Sequence, residues 1–375
     1  DTLSLHDALP IFDNGVKSST VTTADITIAP VTDTPHLGLL GGGVVTSINF
    51  DGANLNGSWG DVAVGNANNP AVNGTPSTPW LTGNADGQVE IGQSSIYGVE
   101  TPGNSQVIEL EKNAGDDSSL YTIIKAEAGT AYTISVDYSP RAGAEDNSVI
   151  DVFWGGVKVG TLDTTTVGMK TYTFVVPVTA DGDAKLEFKA PAGDTNNSVG
   201  GVLDNISVTQ VLNTGLEDHA IKLSTIDAYA TDKDGSETLK LEISGVPVNA
   251  TITDGTPGHT FTATAGNQSV DISDWNKATL VFNPAENANG LVNLTVTATA
   301  QDGTADPKSE SITLPINVIA VNDAPEAMAT TATGSEDPVQ GIEVKLSATD
   351  IDGVENVKSF TVGTPTNGTF YTDAA

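Results

Sequence analysis

Two related segments, one in the middle of the chain and one near its end, constrain the fold more than any other sequence feature. "LEDHAIKLSTIDAYATDKDG" begins at residue 216, and "SEDPVQGIEVKLSATDIDG" begins at residue 335. Glu217 and Glu336 are 119 positions apart, and Asp232 and Asp350 are 118 apart. The residues between them alternate between apolar and polar and are broken by Gly, Asn, Asp and Pro, as in β-strands and turns. A unit of this length built from strands predicts a β-sandwich repeat.

A second motif shows that the repeat is interrupted. "VTDTP" at 31–35 matches "VNDAP" at 321–325, and each precedes one of the related segments. From Asp323 to Glu336 is 13 positions, but from Asp33 to Glu217 is 184. The excess of 171 residues, roughly 36–206, predicts an inserted domain. Its strand-like segments, about ten in number, favour a two-sheet jelly roll.

These patterns predict an all-β chain with a defined order of domains. Residues 1–12, "DTLSLHDALPIF", resemble a translated sequencing adaptor and are expected to be non-native. The end of a preceding repeat (13–35), the jelly-roll domain (36–212), a complete repeat (213–322) and the truncated start of another (323–375) are expected to follow. The last residues stop inside a strand-like pattern, so we expect a fragment of a longer, monomeric chain.

The composition excludes several classes of partner and site. The chain has 48 Asp and Glu against 15 Lys and Arg, a net charge of −33, which argues against nucleic acid and anionic membranes as partners. It has no cysteine, so disulfides and thiolate sites are excluded. It also lacks an apolar run long enough for membrane insertion. The acidity fits either a solvated surface or carboxylates that bind divalent cations.

The hinge and loop motifs resemble a known family. "VNDAP", "ATDxDG" and "TATAQDG" are similar to the cadherin-like tandem domains of very large, RTX-type bacterial surface adhesins, over residues 13–35 and 213–375. The resemblance implies immunoglobulin- or cadherin-like β-sandwich repeats with Ca²⁺ at their boundaries. The calcium ligands that it implies are Asp33, Glu217, Asp232, Asp234, Asp302, Asn322, Asp323, Glu336, Asp350 and Asp352.

The chemistry of the acidic loops agrees with calcium but does not require it. Carboxylates at positions i and i+2 can face one ion, and calcium accepts six to eight oxygen ligands. Asp and Gly are also ordinary turn formers. The loops are not EF-hands, because Gly235 and Gly353 come too early. The hinge at Asp33 also departs from the family pattern, since the insertion follows it.

The inserted region resembles secreted jelly-roll carbohydrate-binding modules, and more closely the lectin modules inserted in bacterial adhesins. The matching residues include "NFDG", "VEI", "ELE", "GTAYTISVDYSPRAG", "VFWGG" and "GGVLDNISV". The resemblance implies a structural calcium between Asp51 of the first strand and Asp204 of the last. The alternative for Asp204 is a turn cap in "LDNI".

Arg141 is the only arginine in the chain, and it is the main candidate for ligand contact. Sugars need an aromatic platform and hydrogen-bonding groups, and guanidinium offers a rigid fork of donors. The candidate ligand-binding residues are Arg141, Asp146, Asn147, Trp154 and Trp80, with Glu90 and Asn113 added by the resemblance. Each of these has an alternative: Arg141 could form a surface ion pair with Glu145 or Asp146, and Trp154 could lie in the core. A calcium ion could also contact the ligand directly, held by oxygens of residues 144–147 or of Asp194 and Asn196. Trp59 and Trp275 are expected in cores.

No catalytic motif is present, so we expect no enzyme activity from this fragment. The sequence therefore predicts a calcium-dependent, glycan-binding module of an extracellular adhesin at the bacterial cell surface, recognising terminal sugars of cell-surface glycans. Two alternatives stay open. One is a purely structural extender without a ligand, and the other is the accessory region of a secreted polysaccharide-degrading enzyme.

Overall fold

The prediction of an all-β chain is confirmed. A computed structural model describes residues 2–4, 12–13, 16–17, 25–27, 29–65, 78–110, 119–191, 199–232, 235–335 and 341–370. The chain divides into one unit at 1–318 and a second at 319–375. Helix within the described residues is limited to the 3₁₀ turns Ser94–Tyr97, Pro102–Asn104, Glu145–Asn147 and Val354–Asn356. None of these described segments has the length and apolarity needed to cross a bilayer.

The first strands precede and enter the inserted domain. They are β1 (Thr2–Ser4), β2 (Phe12–Asp13), β3 (Val16–Lys17), β4 (Asp25–Thr27), β5 (His36–Leu40), β6 (Gly43–Ile48), β7 (Trp59–Ala63), β8 (Trp80–Thr82), β9 (Gln88–Gln93), β10 (Gln106–Glu109) and β11 (Ser119–Ala126). The domain continues through β12 (Thr130–Ser139), β13 (Ile150–Trp154), β14 (Val157–Leu162), β15 (Lys170–Val178), β16 (Gly182–Lys189) and β17 (Val202–Val211).

These strands build a two-sheet sandwich. One sheet has seven strands in the order β15-β12-β17-β10-β9-β7, with β6 also paired to β17, and the other has the order β14-β13-β16-β11-β8. Strand β12 shows why they stack: Tyr132, Ile134, Val136 and Tyr138 alternate with more polar residues and are fully or almost fully buried. Side chains of both sheets meet in one core. Period-two alternation thus places one face of each sheet inside.

The first and last strands of the inserted domain lie side by side. Strand β6 pairs antiparallel with β17, from Ile48 opposite Ile206 to Gly43 opposite Gln210. A turn of three glycines, residues 41–43, leads into β6 with positive φ angles. A Cβ at Gly42 would lie 2.7 Å from the backbone oxygen of Gln210, so only glycine fits here without a shift. The inserted domain therefore begins and ends at neighbouring points of the repeat.

The complete repeat is a second sandwich. Its strands are β18 (Thr214–Leu216), β19 (Ile221–Lys222), β20 (Thr225–Tyr229), β21 (Glu237–Ser244), β22 (Thr251–Thr253), β23 (Thr260–Thr262), β24 (Ser269–Asp271), β25 (Val281–Asn283), β26 (Gly290–Asp302) and β27 (Lys308–Ile319). The sheets have the orders β18-β27-β26-β21-β24 and β19-β25-β22-β23, and β5 pairs with β20. Together they enclose a separate core.

Strand β5 belongs to the repeat, although the sequence-based division assigned it to the insertion at 36–212. It pairs with β20 from His36 opposite Tyr229 to Leu40 opposite Thr225, and Leu37 and Leu39 pack against the core of the repeat. The physical reason is that β5 carries the apolar residues that close this core. The repeat is therefore interrupted after its first strand. The second unit contains β28 (Glu326–Met328) paired with β29 (Ser347–Thr349).

We predict that the sandwich depends on the centre of β12. Ile134 is fully buried, whereas Val175 on the neighbouring β15 is 51% exposed. Ile134→Ala should lower the free energy of unfolding of the inserted domain by about 2–5 kcal/mol, because it leaves a cavity. Val175→Ala, the matched control, should change it by less than about 0.5 kcal/mol. Urea unfolding followed by tryptophan fluorescence measures both, and equal losses would contradict the placement of this core.

Candidate functional site

Three carboxylates lie side by side on the outer face of the seven-stranded sheet. Asp61 of β7 is directly opposite Glu90 of β9, and Glu90 is directly opposite Glu109 of β10. Val89 and Ile91, on either side of Glu90, point into the core, so Glu90 points away from it. Neighbouring strands are about 4.8 Å apart, and like charges directly opposite each other are destabilising. This row therefore needs a cation, bound protons or both.

Arg141 supplies one positive charge to the row. Its Nη1 donates a 2.7 Å hydrogen bond to Oε1 of Glu109, whose side chain is fully buried. The backbone N–H of Gly200 donates to the same oxygen at 2.9 Å. The guanidinium carbon also lies 5.4 Å from the centre of the Tyr97 ring, within cation–π range. Arg141 is thus held by Glu109 and not by Glu145 or Asp146.

The loop after β12 positions Arg141. The backbone N–H of Arg141 donates to Oγ of Ser148 at 3.0 Å, and Oγ of Ser148 donates to the backbone oxygen of Ala144. The next residue, Ala142, donates its N–H to the backbone oxygen of Tyr97. These bonds hold the loop against the 3₁₀ turn Ser94–Tyr97, so the guanidinium meets the carboxylate row from above the sheet.

Burial raises the pKa values of the inner carboxyl groups. It raises the pKa of Glu109 to about 7 despite the hydrogen bonds from Arg141 and Gly200. It also raises the pKa of Glu90, whose Oε1 accepts a 3.1 Å hydrogen bond from the Tyr97 hydroxyl. The negative charge of Asp61 adds to the rise in the pKa of Glu90.

An exposed aromatic side chain stands beside this row. Trp59 shares its face of β7 with Asp61, lies directly opposite Gly92, and is 52% exposed. A Cβ at position 92 would lie 2.7 Å from the Tyr97 hydroxyl oxygen and 2.9 Å from Cβ of Trp59. Glycine at 92 therefore lets Trp59 and Tyr97 approach each other next to Glu90. We call Trp59, Asp61, Glu90, Tyr97 and Arg141, with the buried Glu109 beneath them, the outer-face cluster.

The other tryptophans do not present their rings to solvent. Trp80 is fully buried with its ring 6.4 Å from that of Phe188, and Trp154 is 8% exposed with its ring 5.1 Å from that of Tyr132. Both lie in the core of the inserted sandwich, so neither is placed as a platform. Trp275 is buried as expected. The expectation that Trp59 is buried was wrong, because β7 is the edge strand and Val62, not Trp59, faces the core.

The remaining predicted ligand contacts lie apart from the cluster or outside the described residues. Asp146 and Asn147 are in the 3₁₀ turn after Arg141, and Asp146 is exposed. Among the residues that the structure describes, neither side chain hydrogen-bonds to the cluster. Asn113, and Asp194 and Asn196 of the alternative, lie outside the described residues.

Asp51 and Asp204, the predicted calcium pair of the inserted domain, converge on the start of β10. Oδ1 of Asp51 accepts from the backbone N–H of Gln106 at 2.9 Å, and Oδ2 of Asp204 accepts from Oγ of Ser105 at 3.2 Å. Asp204 is 3% exposed. Burial raises its pKa to about 6, and the negative charges of Asp51 and Asp137 add to the effect. The buried Asp204 and the exposed Asp51 offer carboxylate oxygens, the kind of ligand that a hard cation prefers.

Backbone N–H groups of the hinge at 31–34 donate hydrogen bonds to carboxylates of the complete repeat. Oδ2 of Asp302 accepts from the backbone N–H of Val31 at 3.2 Å, and Oε1 of Glu237 accepts from the backbone N–H of Asp33 at 2.6 Å. Glu237 and Asp302 are directly opposite each other on β21 and β26. Oε2 of Glu237 is buried without a hydrogen-bond partner in the described part of the chain. Sequence reasoning missed Glu237, and it noted only that this hinge departs from the family pattern because the insertion follows it.

In the second unit, a backbone N–H of the hinge also donates to a carboxylate, here one of the predicted ligands. The backbone N–H of Asp323 donates to Oδ2 of Asp352 at 2.6 Å, and that of Asp352 donates to Oδ1 of Asp350 at 2.9 Å. The side-chain amide of Asn322 donates to the backbone oxygen of Asp323. Oδ2 of Asp350 is buried and has no hydrogen-bond partner among the described residues. The loop thus presents carboxylate oxygens that its own donors do not satisfy, which fits a calcium ligand set.

The other predicted calcium ligands are only partly described. Glu217 is 2% exposed, and its Oε2 accepts a 3.0 Å hydrogen bond from the side-chain amide of Asn289. Asp232 is half-buried after β20. Asp234 and Glu336 lie outside the described residues.

Comparison with known proteins gives a weak sequence relative. No protein-family model matches the chain. The chain is 27% identical over 148 residues to the multifunctional-autoprocessing repeats-in-toxin of Vibrio cholerae, a match that covers 38% of this chain and 3% of that protein. A β-D-mannosidase from Dictyoglomus thermophilum aligns over 72% of this chain and 37% of that chain at 8% identity with a TM-score of 0.19. That structural similarity is too low to carry an argument.

We predict a pH-dependent contribution of Glu109 to stability. Its pKa is raised from 4.5 to about 7 in the folded state, so between these values the folded state binds more protons than the unfolded state. The contribution of Glu109 therefore falls as pH rises from 4.5 to 7. The free energy of unfolding of the wild type, relative to Glu109→Gln, should decrease by on the order of 1 kcal/mol over this range. Urea titrations at several pH values measure it, and a difference that rises with pH would contradict the buried-carboxyl assignment.

Proposed function

We propose that the inserted domain binds glycans through the outer-face cluster. The observation that carries the proposal is the half-exposed Trp59 beside Asp61, Glu90 and Arg141 on one sheet face. An aromatic ring can cover the C–H face of a sugar, while carboxylate oxygens accept hydrogen bonds from its hydroxyl groups. The remaining N–H groups of Arg141 can donate to a ring or hydroxyl oxygen. Glu109 lies too deep for ligand contact and serves to hold Arg141.

The proposed setting is an extracellular bacterial adhesin. The weak similarity to part of a repeats-in-toxin protein and the repeated sandwich motif support a secreted, multidomain chain, of which this sequence is a part. The repeats would display the inserted domain away from the cell surface. A single sugar site gives millimolar to micromolar affinity, roughly −4 to −8 kcal/mol. Many copies on one cell would raise avidity by about 10²–10⁴, so weak sites suffice.

The role proposed for calcium is structural. Asp51 and Asp204 would hold one ion that joins the first and last segments of the inserted sandwich. Asp302 and Glu237, and separately Asp350 and Asp352, would hold ions at the hinges. Each set offers the oxygen ligands that calcium prefers, and a bound ion would offset the repulsion between their charges.

A glycan array tests the proposed function. The whole chain should bind one class of sugar in millimolar calcium, and Trp59→Ala should abolish binding without loss of folding because the ring is half-exposed. The matched control is Tyr229→Ala, which removes an equally exposed aromatic ring (52%) from the complete repeat and should leave binding unchanged.

Two outcomes would contradict this proposal. If the folded chain binds no glycan, the structural-extender alternative is favoured. If it prefers insoluble polysaccharide to short terminal sugars, the accessory region of a polysaccharide-degrading enzyme is favoured. Arg141→Ala is a poor test because it strands the buried Glu109 carboxylate, a change that costs about 3–5 kcal/mol of stability.

The calcium proposal predicts a change in thermal stability. Millimolar calcium should raise the Tm of the inserted domain relative to EDTA, and Asp204→Asn should remove most of that increase because one ligand is lost. An increment of 1 kcal/mol corresponds to about 2–4 °C for a domain of this size. Asp183→Asn, which removes a carboxylate that is 67% exposed on β16, is the control. An unchanged calcium increment in Asp204→Asn would show that the ion binds elsewhere.

A further inference from the structure

His259 lies where two loops of the complete repeat meet. One loop, residues 254–259, joins β22 to β23, and the other, residues 272–280, joins β24 to β25. The imidazole ring of His259 is nearly parallel to the ring of Trp275, with an interplanar angle of 3° and centroids 5.3 Å apart. Trp275 is 8% exposed and packs in the core of the repeat. The second loop therefore gives the imidazole a fixed surface to lie on.

A buried carboxylate fixes the orientation of this ring. Oδ2 of Asp254, whose side chain is fully buried, lies 2.9 Å from Nδ1 of His259. The same carboxylate accepts hydrogen bonds from the backbone N–H groups of Asn276, at 2.7 Å, and Thr256, at 2.8 Å. Because an ionised carboxylate only accepts, Nδ1 of His259 carries the hydrogen, and Nε2 of the neutral ring keeps its lone pair. Carboxylates orient metal-binding histidines in this way.

Nε2 of the same ring faces a second carboxylate. It lies 3.8 Å from Oδ2 of Asp274, whose side chain is 80% exposed, while the His259 side chain is 24% exposed. This separation is too long for a direct hydrogen bond. Two ligand atoms of a tetrahedral zinc ion, each at about 2.0–2.2 Å from the metal, lie about 3.4 Å apart. A small rotation of the exposed Asp274 side chain therefore brings the two atoms to the spacing of metal ligands.

We propose that His259 and Asp274 bind a divalent transition-metal ion, with Zn²⁺ as the expected ion and Asp254 as the residue that orients the histidine. Imidazole nitrogen suits zinc, copper and nickel, whereas the carboxylate oxygens of Asp51 and Asp204 suit calcium. Water fills the coordination positions that the two side chains leave open. None of these residues belongs to the outer-face cluster, so zinc binding is independent of the proposed glycan binding.

Isothermal titration calorimetry of the whole chain with zinc chloride tests the site, in millimolar calcium so that carboxylate-only sites are occupied by calcium. His259→Gln and Asp274→Asn should each weaken zinc binding by at least about tenfold, because each removes one of the two protein ligands. The side chain of Asp274 is exposed, so its substitution leaves the fold intact. The matched control is His36→Gln, which removes a half-exposed histidine whose Nε2 lies 3.3 Å from Oδ2 of Asp227. This control should leave zinc binding unchanged.

A copper titration gives a second readout. Cu²⁺ quenches the fluorescence of a nearby indole, and the ring of Trp275 is stacked on that of the proposed ligand His259. Excess Zn²⁺ should restore part of the fluorescence, because the two ions compete for the same nitrogen and oxygen ligands. His259→Gln should remove the part of the quenching that zinc reverses.

The outcomes distinguish a metal site from an ion pair. A folded chain that binds no zinc overturns the proposal, and His259 is then a protonated residue in a structural ion pair with Asp254 and Asp274. Zinc binding that survives either His259→Gln or Asp274→Asn, or that His36→Gln weakens equally, takes place elsewhere and also overturns it. Loss of binding in the two site variants, with the control unchanged, supports the site.

Discussion

The antiparallel pairing of β6 with β17 is the constraint on which the rest of the unit at 1–318 depends. A repeat can accept a domain within its own chain only if the two ends of that domain lie close together. Here the glycine turn at 41–43 leads into β6, and Asn213 follows β17 with a φ angle of 59°. Asn213 then exchanges hydrogen bonds with Ser224 and Lys222 of the repeat. Without these neighbouring ends, β5 could not reach β20 to complete its sandwich.

The same sandwich explains why the chain uses its one arginine where it does. The seven-stranded sheet places Asp61, Glu90 and Glu109 in adjacent positions, and the innermost of them is buried. A buried carboxylate needs a partner of fixed geometry, and the planar guanidinium provides one while its carbon lies 5.4 Å from the centre of the Tyr97 ring. Arg141 is therefore structural at Glu109 and, in the proposed function, a ligand contact at its exposed edge. The surface ion pair with Glu145 or Asp146 that the sequence allowed is replaced by a pair with the buried Glu109.

Much of the fold could be predicted from the sequence because it depends on alternation and spacing. The segments "TAYTISVDY" and "VNDAP" identify a strand and a hinge by local pattern alone. Which face of a sheet is covered is harder to predict from the sequence, because it depends on residues that are distant along the chain. Trp59 was expected in a core, yet it shares a face with Asp61 while Val62 faces inward, a signal that "WGDVA" does contain. The direction of the Glu109 side chain could have been predicted in the same way, since Glu109 is two residues from Val107 and shares its face of the strand. The position of Tyr97 over Gly92 could not, because the local pattern does not indicate it.

The position of the insertion has a mechanical consequence. Tension applied between the hinge at 31–34 and the end of β27 would load the hydrogen bonds from the hinge to Asp302 and Glu237, and after them those between β5 and β20. While that pairing holds, the path of force stays within the repeat and bypasses the inserted sandwich. If β5 detaches, the load passes to β6 and β17, which would then separate one hydrogen bond at a time. The inserted domain is thereby shielded from tension along the chain until its host repeat begins to yield.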